Sequence, residues 1–252
     1  MDVGVVRYGV GMGELRRGRA KKALRWWVKA ARARHAGACY ALAFCAVNGV
    51  GGPASEEEAA MWFGAAAKLG HVRGQNEYGY CFEKGEGVEQ NSKEAARWYE
   101  KAARKGCAMA QSNLGLLFYT GEGVEQSDEQ ALIWFRRSAR QHLPKAQLCL
   151  AIGYEDGVGM RVDLPRALRL YRRAAAQGNT VAAEGVKRLE GNPAATRRCA
   201  LPSCRKPESE RRGRRLLCCG GGCKGTEAAA YYCSPVCQAA DEARHAAECQ
   251  WG

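Results

Sequence analysis

The sequence lacks any long apolar run. Within its 252 residues there is no stretch of 18 consecutive apolar residues, which excludes a conventional membrane-spanning helix. The first twenty residues, MDVGVVRYGVGMGELRRGRA, also lack an apolar core followed by a cleavage site, so no secretory signal peptide is predicted. We therefore expect a protein of the cytoplasm or nucleus, where thiols stay reduced.

Acidic residues and histidines are scarce beside the basic residues. The sequence has 26 Asp and Glu and 4 His against 39 Lys and Arg, which gives a formal net charge of +13. The excess is concentrated in residues 1–36, with 10 basic and 2 acidic side chains, and in residues 191–252, with 10 and 6. Residues 37–190 carry 19 and 18, so a general polyanion-binding surface along them is not favoured.

A repeat of 36 residues runs through the sequence. The segments GEGVEQNSKEAARWYEKAARKG and GEGVEQSDEQALIWFRRSARQH begin at Gly85 and Gly121. The same register aligns a column of alanines and a column of large apolar residues: Ala23, Ala59, Ala95, Ala131 and Ala167, and Trp26, Trp62, Trp98, Trp134 and Leu170. A fixed period of this length is typical of stacked supersecondary units.

Helix start and stop signals recur in the same register. Good N-cap residues occupy one column: Ser55, Asn91, Ser127 and Asp163. Glycines suited to a left-handed helix end follow at Gly70, Gly106 and Gly178, whereas His142 takes that place in another repeat. Between these signals Ala131, Trp134, Phe135 and Ala139 form a stripe at helical spacing, which predicts core packing rather than a cofactor site.

The other helix of each unit carries apolar residues such as Ala110, Leu114 and Phe118. Gly79 and Gly115 on this helix are small enough to let a neighbouring helix approach closely. A GxGV loop joins the two helices, and its glycines supply positive φ angles. No strand and no Lys or Ser pattern accompanies this loop, so a phosphate-binding function is not predicted.

These columns resemble the Sel-one-like repeat family, a relative of tetratricopeptide repeats. The resemblance covers residues 37–190 as four repeats and residues 1–36 as a degenerate first repeat with a basic helix. It implies an all-α fold, a superhelical solenoid of antiparallel helix pairs with a concave protein-binding surface. Members of the family serve as adaptors and scaffolds.

The beginning of the chain departs from the repeat pattern. The segment MDVGVVRYGVGMG contains four glycines, each costing about 0.8–1 kcal/mol in a helix relative to alanine, so the first helix is predicted to form poorly. We expect either missing upstream sequence or a frayed helix. The following segment, ELRRGRAKKALRWWVKAARARH, is interpreted as a repeat helix with a solvated basic face, and a site for an anionic partner is the alternative.

The 13 cysteines fall into two groups. Five are scattered in helical sequence, where small buried side chains are expected: Cys39, Cys45, Cys81, Cys107 and Cys149. The other eight lie after a linker at residues 191–198, and seven of them form four ligand pairs with His245 within residues 199–249, since only one of Cys218 and Cys219 is needed. Zinc favours four thiolate or imidazole ligands, so this short segment is predicted to bind two structural zinc ions.

The order of these ligands resembles the MYND-type double zinc finger, through Tyr232-Cys233-Ser234, Cys237-Gln238 and the late His245. The resemblance implies two interleaved sites, one formed by Cys199, Cys204, Cys233 and Cys237, the other by Cys219, Cys223, His245 and Cys249. Cys218 remains an alternative to Cys219. Relatives have tryptophan where this chain has Glu242, which weakens the implied binding of proline-rich peptides.

The sequence therefore predicts a non-catalytic adaptor that binds other proteins through the repeat surface and the zinc module, and no membrane. An enzyme is not predicted, since no segment is left for a catalytic domain and a four-ligand zinc has no open position for water. One alternative is a nucleic-acid-associated regulator that uses the basic N-terminal helix and the arginine-rich loop RKPESERRGRR. Another, by analogy alone, is a ubiquitin-ligase adaptor missing an upstream F-box.

Overall fold

The computed structural model describes residues 2–191 together with residues 217–218 and 231–232. In these residues the chain forms eleven α-helices and two short β-strands. The helices are α1 (Val3–Arg16), α2 (Ala20–Arg32), α3 (Ala36–Val47), α4 (Glu56–Lys68), α5 (Val72–Lys84), α6 (Ser92–Arg104), α7 (Ala108–Thr120), α8 (Asp128–Arg140), α9 (Pro144–Asp156), α10 (Leu164–Ala175) and α11 (Thr180–Glu190). The strands β1 (Leu217–Cys218) and β2 (Tyr231–Tyr232) pair in antiparallel register.

The predicted N-caps are confirmed in four helices. The side chains of Ser55, Asn91, Ser127 and Asp163 accept hydrogen bonds from backbone N–H groups in the first turns of α4, α6, α8 and α10. For Ser55 the donor is the N–H of Glu58, at 3.1 Å. These bonds satisfy N–H groups that have no partner inside the helix, and so fix where each second helix of a repeat begins.

The predicted left-handed ends of these helices are confirmed as well. Gly70, Gly106 and Gly178 have φ angles of +87°, +90° and +88°. His142 adopts the same region, with φ at +65°, although it carries a Cβ. The turn after the second helix of the repeat therefore has the same left-handed backbone conformation even where histidine replaces glycine.

The expectation of a poorly formed first helix is wrong, because α1 runs over fourteen residues. Two of its glycines are buried where the helix meets its neighbours. A Cβ on Gly11 would overlap the indole of Trp27, and a Cβ on Gly4 would lie 3.1 Å from the Cβ of His35. Close packing offsets the low helix propensity of glycine, since only a residue without a side chain lets the helices approach this far.

The chain divides into two compact units, residues 1–146 and 147–252. In the first unit α1 packs with α2, α3 with α4, α5 with α6 and α7 with α8. Alanines dominate its core, so the helices approach closely, and larger side chains fill the remaining space. In the second unit the residues of α9 from 147 onward pack with α10 and α11 around Tyr171.

The column of large residues that contains Trp98 is less buried than the column that follows it by one residue. Trp134 is buried, but Trp26, Trp62 and Trp98 are only partly buried. The next column, one residue later, carries the core aromatics: Trp27, Phe63, Tyr99, Phe135 and Tyr171. The tryptophan column instead lies at the edge of the core, where three of its rings carry a cation on one face: Lys29 on Trp26, Lys101 on Trp98 and Arg137 on Trp134.

Glycines on the first helix of a repeat let the core aromatic of the second helix pack closely, as predicted for Gly79 and Gly115. A Cβ added to Gly79 would lie 2.9 Å from Cδ1 of Tyr99, and one added to Gly115 would lie 2.8 Å from Cε1 of Phe135. Real Cβ atoms do not approach this closely, so the ring of each second helix lies directly against a glycine of the first.

Candidate functional site

A second column of large apolar residues lies on the first helix of each repeat; its first member packs against the core, whereas the later members are exposed or partly exposed. Sequence reasoning missed it, although the 36-residue register displays it: Tyr8, Phe44, Tyr80, Leu116 and Ile152. Phe44 is 56% exposed and Tyr80 is 38% exposed. Large apolar side chains that recur at one surface position are candidates for contact with a partner, because burying them in the protein would have been favourable.

Phe44 and Tyr80 line the same cavity, which has a volume of about 480 Å³. Its walls come from α3, from the start of α4 and from α5, with the following loop at Glu86. The side chains that line it are mostly aromatic or aliphatic, and they include Tyr40, Val47, Ala59 and Phe63. We call this cavity the α3–α5 groove. Its size falls in the range of roughly 300–1,000 Å³ that is usual for ligand pockets.

Three carboxylates, Glu56, Glu77 and Glu86, provide the charge of the α3–α5 groove, and the described residues that line it include no lysine or arginine. Burial raises the pKa of the Glu77 carboxyl, although a hydrogen bond from Asn76 and the charge of Arg73 act against it. The bond from Asn76 Nδ2 to Glu77 Oε1 measures 3.1 Å. Glu77 forms no ion pair within residues 2–191, so its charge is poorly compensated there.

Polar side chains continue from the groove along the first helices. Asn76 Oδ1 accepts a hydrogen bond of 3.4 Å from Asn113 Nδ2, and Asn113 Oδ1 accepts one of 3.0 Å from Lys145 Nζ. Asn76 is buried, while Asn113 is partly buried. This network connects α5, α7 and the beginning of α9 and fixes the amides beside the groove.

The groove contains a cysteine, Cys81, that is not set up as a nucleophile. Burial, followed by the negative charges of Glu86 and Glu77, raises the pKa of the Cys81 thiol to about 12. A reactive cysteine needs the thiolate form, which a basic or dipolar environment favours. Cys81 therefore stays protonated at neutral pH. The prediction that the scattered cysteines are buried holds for Cys39, Cys45 and Cys81, whereas Cys107 and Cys149 are partly exposed.

A second charged surface lies on α2. Five basic side chains recur at helical spacing on its exposed face: Lys21, Lys22, Arg25, Lys29 and Arg32. The acidic residues of residues 1–36 do not neutralise them, because Asp2 caps α1 and Glu14 pairs with Arg17 and Arg19. Within the described helices, none of the five forms an ion pair. The matching positions in α6 are also mostly basic, but there Arg97 pairs with Glu94 and Arg104 pairs with Glu100, so α2 differs in having no acidic partners on its own helix.

The predicted zinc ligands lie outside the described residues. They are Cys199, Cys204, Cys219, Cys223, Cys233, Cys237, His245 and Cys249. The alternative ligand Cys218 is in β1, where its backbone pairs with that of Tyr231. In the residues that the structure does describe, no group of three or more His, Cys, Asp or Glu side chains is placed to hold a metal ion.

Among the described helices, none is both long and apolar enough to cross a bilayer. The longest of them, α1, has fourteen residues, whereas a spanning helix needs about 20.

Paired helices in a 36-residue register, joined by glycine-containing turns, define an all-α helical repeat protein of the tetratricopeptide-like solenoid class. A sequence model of the Sel1 repeat matches five consecutive segments: 2–35, 36–71, 72–107, 108–143 and 144–179. The chain therefore belongs to the Sel1 repeat family. The first segment shows that the N-terminal helix pair is itself a repeat of this family.

Solved structures agree with this assignment. A Sel1 repeat protein from Oxalobacter formigenes is 30% identical over 73% of this chain and 74% of its own length, with a TM-score of 0.68. A protective antigen present in uropathogenic Escherichia coli strains, which displays an SLR fold, is 29% identical over 74% of this chain, with a TM-score of 0.68. The match spans 41% of the length of that antigen. No curated protein matches the chain in sequence.

Proposed function

We propose that this chain is a non-catalytic adaptor that binds a partner protein in the α3–α5 groove. Proteins with Sel1 repeats are generally protein-interaction scaffolds. The observation that carries the proposal is the exposure of Phe44 and Tyr80, which occupy one repeat column and line one cavity. Aromatic anchors in a concave, largely apolar site supply much of the binding energy in protein interfaces.

Affinity purification with matched surface variants tests this function. Phe44 and Met61 are both large apolar residues, 56% and 58% exposed, but Met61 lies on α4 and does not line the groove. We expect Phe44→Ser to lose a partner that the natural chain and Met61→Ser both retain. The partner should then bind the purified natural chain directly. Equal retention by all three forms would contradict the proposal.

The zinc module is the second part of the proposed adaptor. Its support is the type and spacing of the eight ligands in residues 199–249, together with the antiparallel pairing of β1 with β2. Because β1 and β2 are antiparallel, their carboxyl ends lie at opposite ends of the pair of strands. Cys219 follows β1 in sequence and Cys233 follows β2, and the interleaved assignment places these two cysteines in different zinc sites. Zinc would act here as a structural element that holds a short segment folded.

A second candidate function is nucleic-acid binding, favoured by five cations on α2 that form no ion pair within the described helices. Lysines and arginines on one helix face can neutralise successive phosphates, and such binding weakens as salt rises. The test compares RNA and DNA binding by the natural chain with that of a triple variant, Lys22→Gln, Arg25→Gln and Lys29→Gln. If the face binds nucleic acid, the variant should bind weakly and depend less on salt. Retention of partner protein after nuclease treatment, with no salt-dependent binding, would favour the adaptor instead.

A further inference from the structure

The α3–α5 groove combines aromatic walls with uncompensated negative charge. Four aromatic side chains line it, contributed by α3, α4 and α5: Tyr40, Phe44, Phe63 and Tyr80. A cation over an aromatic face is attracted by the electrons of the ring. The same chain uses this contact elsewhere, since Lys101 Nζ lies 3.8 Å from the ring centroid of Trp98.

The three carboxylates of the groove act on a common region. The charges of Glu86, Glu77 and Glu56 each raise the pKa of the Cys81 thiol, after the larger effect of its burial. Cys81 itself lines the groove, so all three carboxylates lie near the same part of the cavity wall. Like charges held near one another in a partly desolvated site favour the arrival of a cation.

The two basic side chains near this groove, Lys84 and Arg73, do not line its cavity. Lys84 Nζ pairs with Glu83 Oε1 at 2.7 Å and lies 5.9 Å from the ring centroid of Tyr80, but Lys84 does not line the cavity. Arg73 lowers the pKa of Glu77 only as the third of three influences, and the net shift is upward. Within residues 2–191, therefore, the negative charge of the groove is only partly compensated.

The arrangement suits an organic cation better than a metal ion. In the described residues no three His, Cys, Asp or Glu side chains converge closely enough for metal coordination. Carboxylates spread around aromatic walls instead match the elongated shape of a lysine or arginine side chain, whose aliphatic stem packs on apolar surface while its charged end meets the acids.

We infer that the α3–α5 groove accepts a lysine or arginine side chain from a positively charged segment of a partner protein. This inference rests on the proposed function, because it names what the docking groove selects. Residues 37–190, which include the groove, carry 19 basic and 18 acidic side chains, so they have no general attraction for a basic segment. Binding to the groove therefore requires its local carboxylates, and the basic residues of 1–36 disfavour attachment of such a segment to α1 and α2.

The test uses the full chain and peptide libraries with a fixed central residue and random flanking residues. The central residue is Lys, Arg, acetyl-lysine, norleucine or Glu. We expect selection of Lys and Arg, and affinities roughly tenfold weaker for acetyl-lysine, which keeps the stem and removes the charge. The same preference should disappear in Glu77→Gln and persist in Glu129→Gln, a matched change at an exposed position on α8.

A charge reversal at the same position gives a second, independent test. Glu77→Lys should shift selection from central Lys to central Glu, and melting curves should show that each variant is folded. A library preference that ignores the charge of the central residue, or one that survives Glu77→Gln, would overturn the inference. If such charge-independent binding is still lost in Phe44→Ser, the groove is a docking site of another specificity. If Phe44→Ser has no effect either, the proposed function fails as well.

A second copy of the chain is the other occupant that the test separates. We expect sedimentation of the natural chain alone, over a range of concentrations, to show no self-association that depends on Glu77. The Glu77→Gln variant should therefore behave like the natural chain. Association of that kind would assign the groove to self-assembly through the basic surfaces of another copy, and would overturn the inference.

Discussion

The phenol of Tyr99 on α6 donates a hydrogen bond of 2.7 Å to Glu83 Oε2 on α5. Two repeats later the same pair recurs, with a bond of 2.6 Å from Tyr171 to Glu155 Oε2. In the two repeats whose core aromatic is phenylalanine, the position of the glutamate holds Val47 or Tyr119. The carboxylate is therefore present where a buried phenol needs an acceptor, and it joins the two helices of its repeat.

Removing the phenol hydroxyl should destabilise the protein. Tyr99→Phe deletes the donor to Glu83, whose side chain is 15% exposed, and leaves it with Lys84 as its remaining partner. We expect a loss of about 1–3 kcal/mol in the free energy of unfolding, measured by urea denaturation. Tyr119→Phe is the control, because Tyr119 is 43% exposed and its change should have little effect. Equal midpoints for the two variants would show that the buried bond contributes nothing.

The same pair should make stability depend on pH. Burial acts to raise the pKa of Glu83, but hydrogen bonds from Lys84 and Tyr99 outweigh it, and the pKa lies below its ordinary value. A lowered folded-state pKa stabilises the protein fully above the unfolded pKa, about 4.3 for Glu, and this stabilisation is lost as pH falls through the folded value. Glu83→Gln should therefore lose less stability on acidification than the natural chain. Parallel pH profiles of the two forms would contradict this.

Adjacent residues on α6 should differ sharply in their contribution to the core. Tyr99 is fully buried, whereas Trp98 is partly buried with Lys101 on its ring. Tyr99→Ala should cost roughly 3–5 kcal/mol, the usual range for a buried aromatic, and Trp98→Ala should cost clearly less. Thermal melting of both variants measures this. A larger loss of stability for Trp98→Ala than for Tyr99→Ala would show that Trp98 contributes more to the core.

Two glycines with positive φ angles should respond differently to the same substitution. A Cβ on Gly123, at φ +73°, would overlap the carbonyl of Ser92 and lie 2.7 Å from the backbone N of Lys93. A Cβ on Gly106, at φ +90°, would meet no atom within 4 Å. Gly106→Ala should cost only the left-handed strain, about 1–2 kcal/mol, and Gly123→Ala should cost more because backbone cannot move aside cheaply. Similar losses in urea denaturation would mean that the turn can shift away from α6.

Elemental analysis tests the zinc proposal. Eight ligands in four pairs should bind two zinc ions per chain of reduced protein, and Cys249→Ser should lower that content, whereas Cys107→Ser, outside the cluster, should not. Chelation should leave the helical circular dichroism of residues 2–191 largely intact, since those helices pack without metal ligands. One ion or none in the natural chain would refute the pairing of ligands.

Much of the fold could be predicted from local sequence. The N-caps at Ser55, Asn91 and Ser127 and the left-handed glycines follow from interactions within a few residues, so the repeat register and helix limits were predicted correctly. The predicted core stripe is confirmed at Trp134 and Phe135, which are both buried. In the preceding repeat Tyr99 is buried and Trp98 only partly, a difference that the sequence does not reveal because both side chains are large and adjacent.

The candidate site depends on contacts between repeats. The register alone places Phe44 and Tyr80 in one column, but their position around a cavity with Glu56 and Glu77 requires α3, α4 and α5 to be packed together. The first helix shows the same limit, since its glycines predict a weak helix until Trp27 is seen to pack against Gly11. The sequence by itself determined the repeat, its turns and the ligand spacing after residue 199, because these depend on short-range geometry. Tertiary structure alone decided which surfaces are buried, which stay exposed and where charge is left without a partner, because burial and desolvation arise only when distant segments pack together.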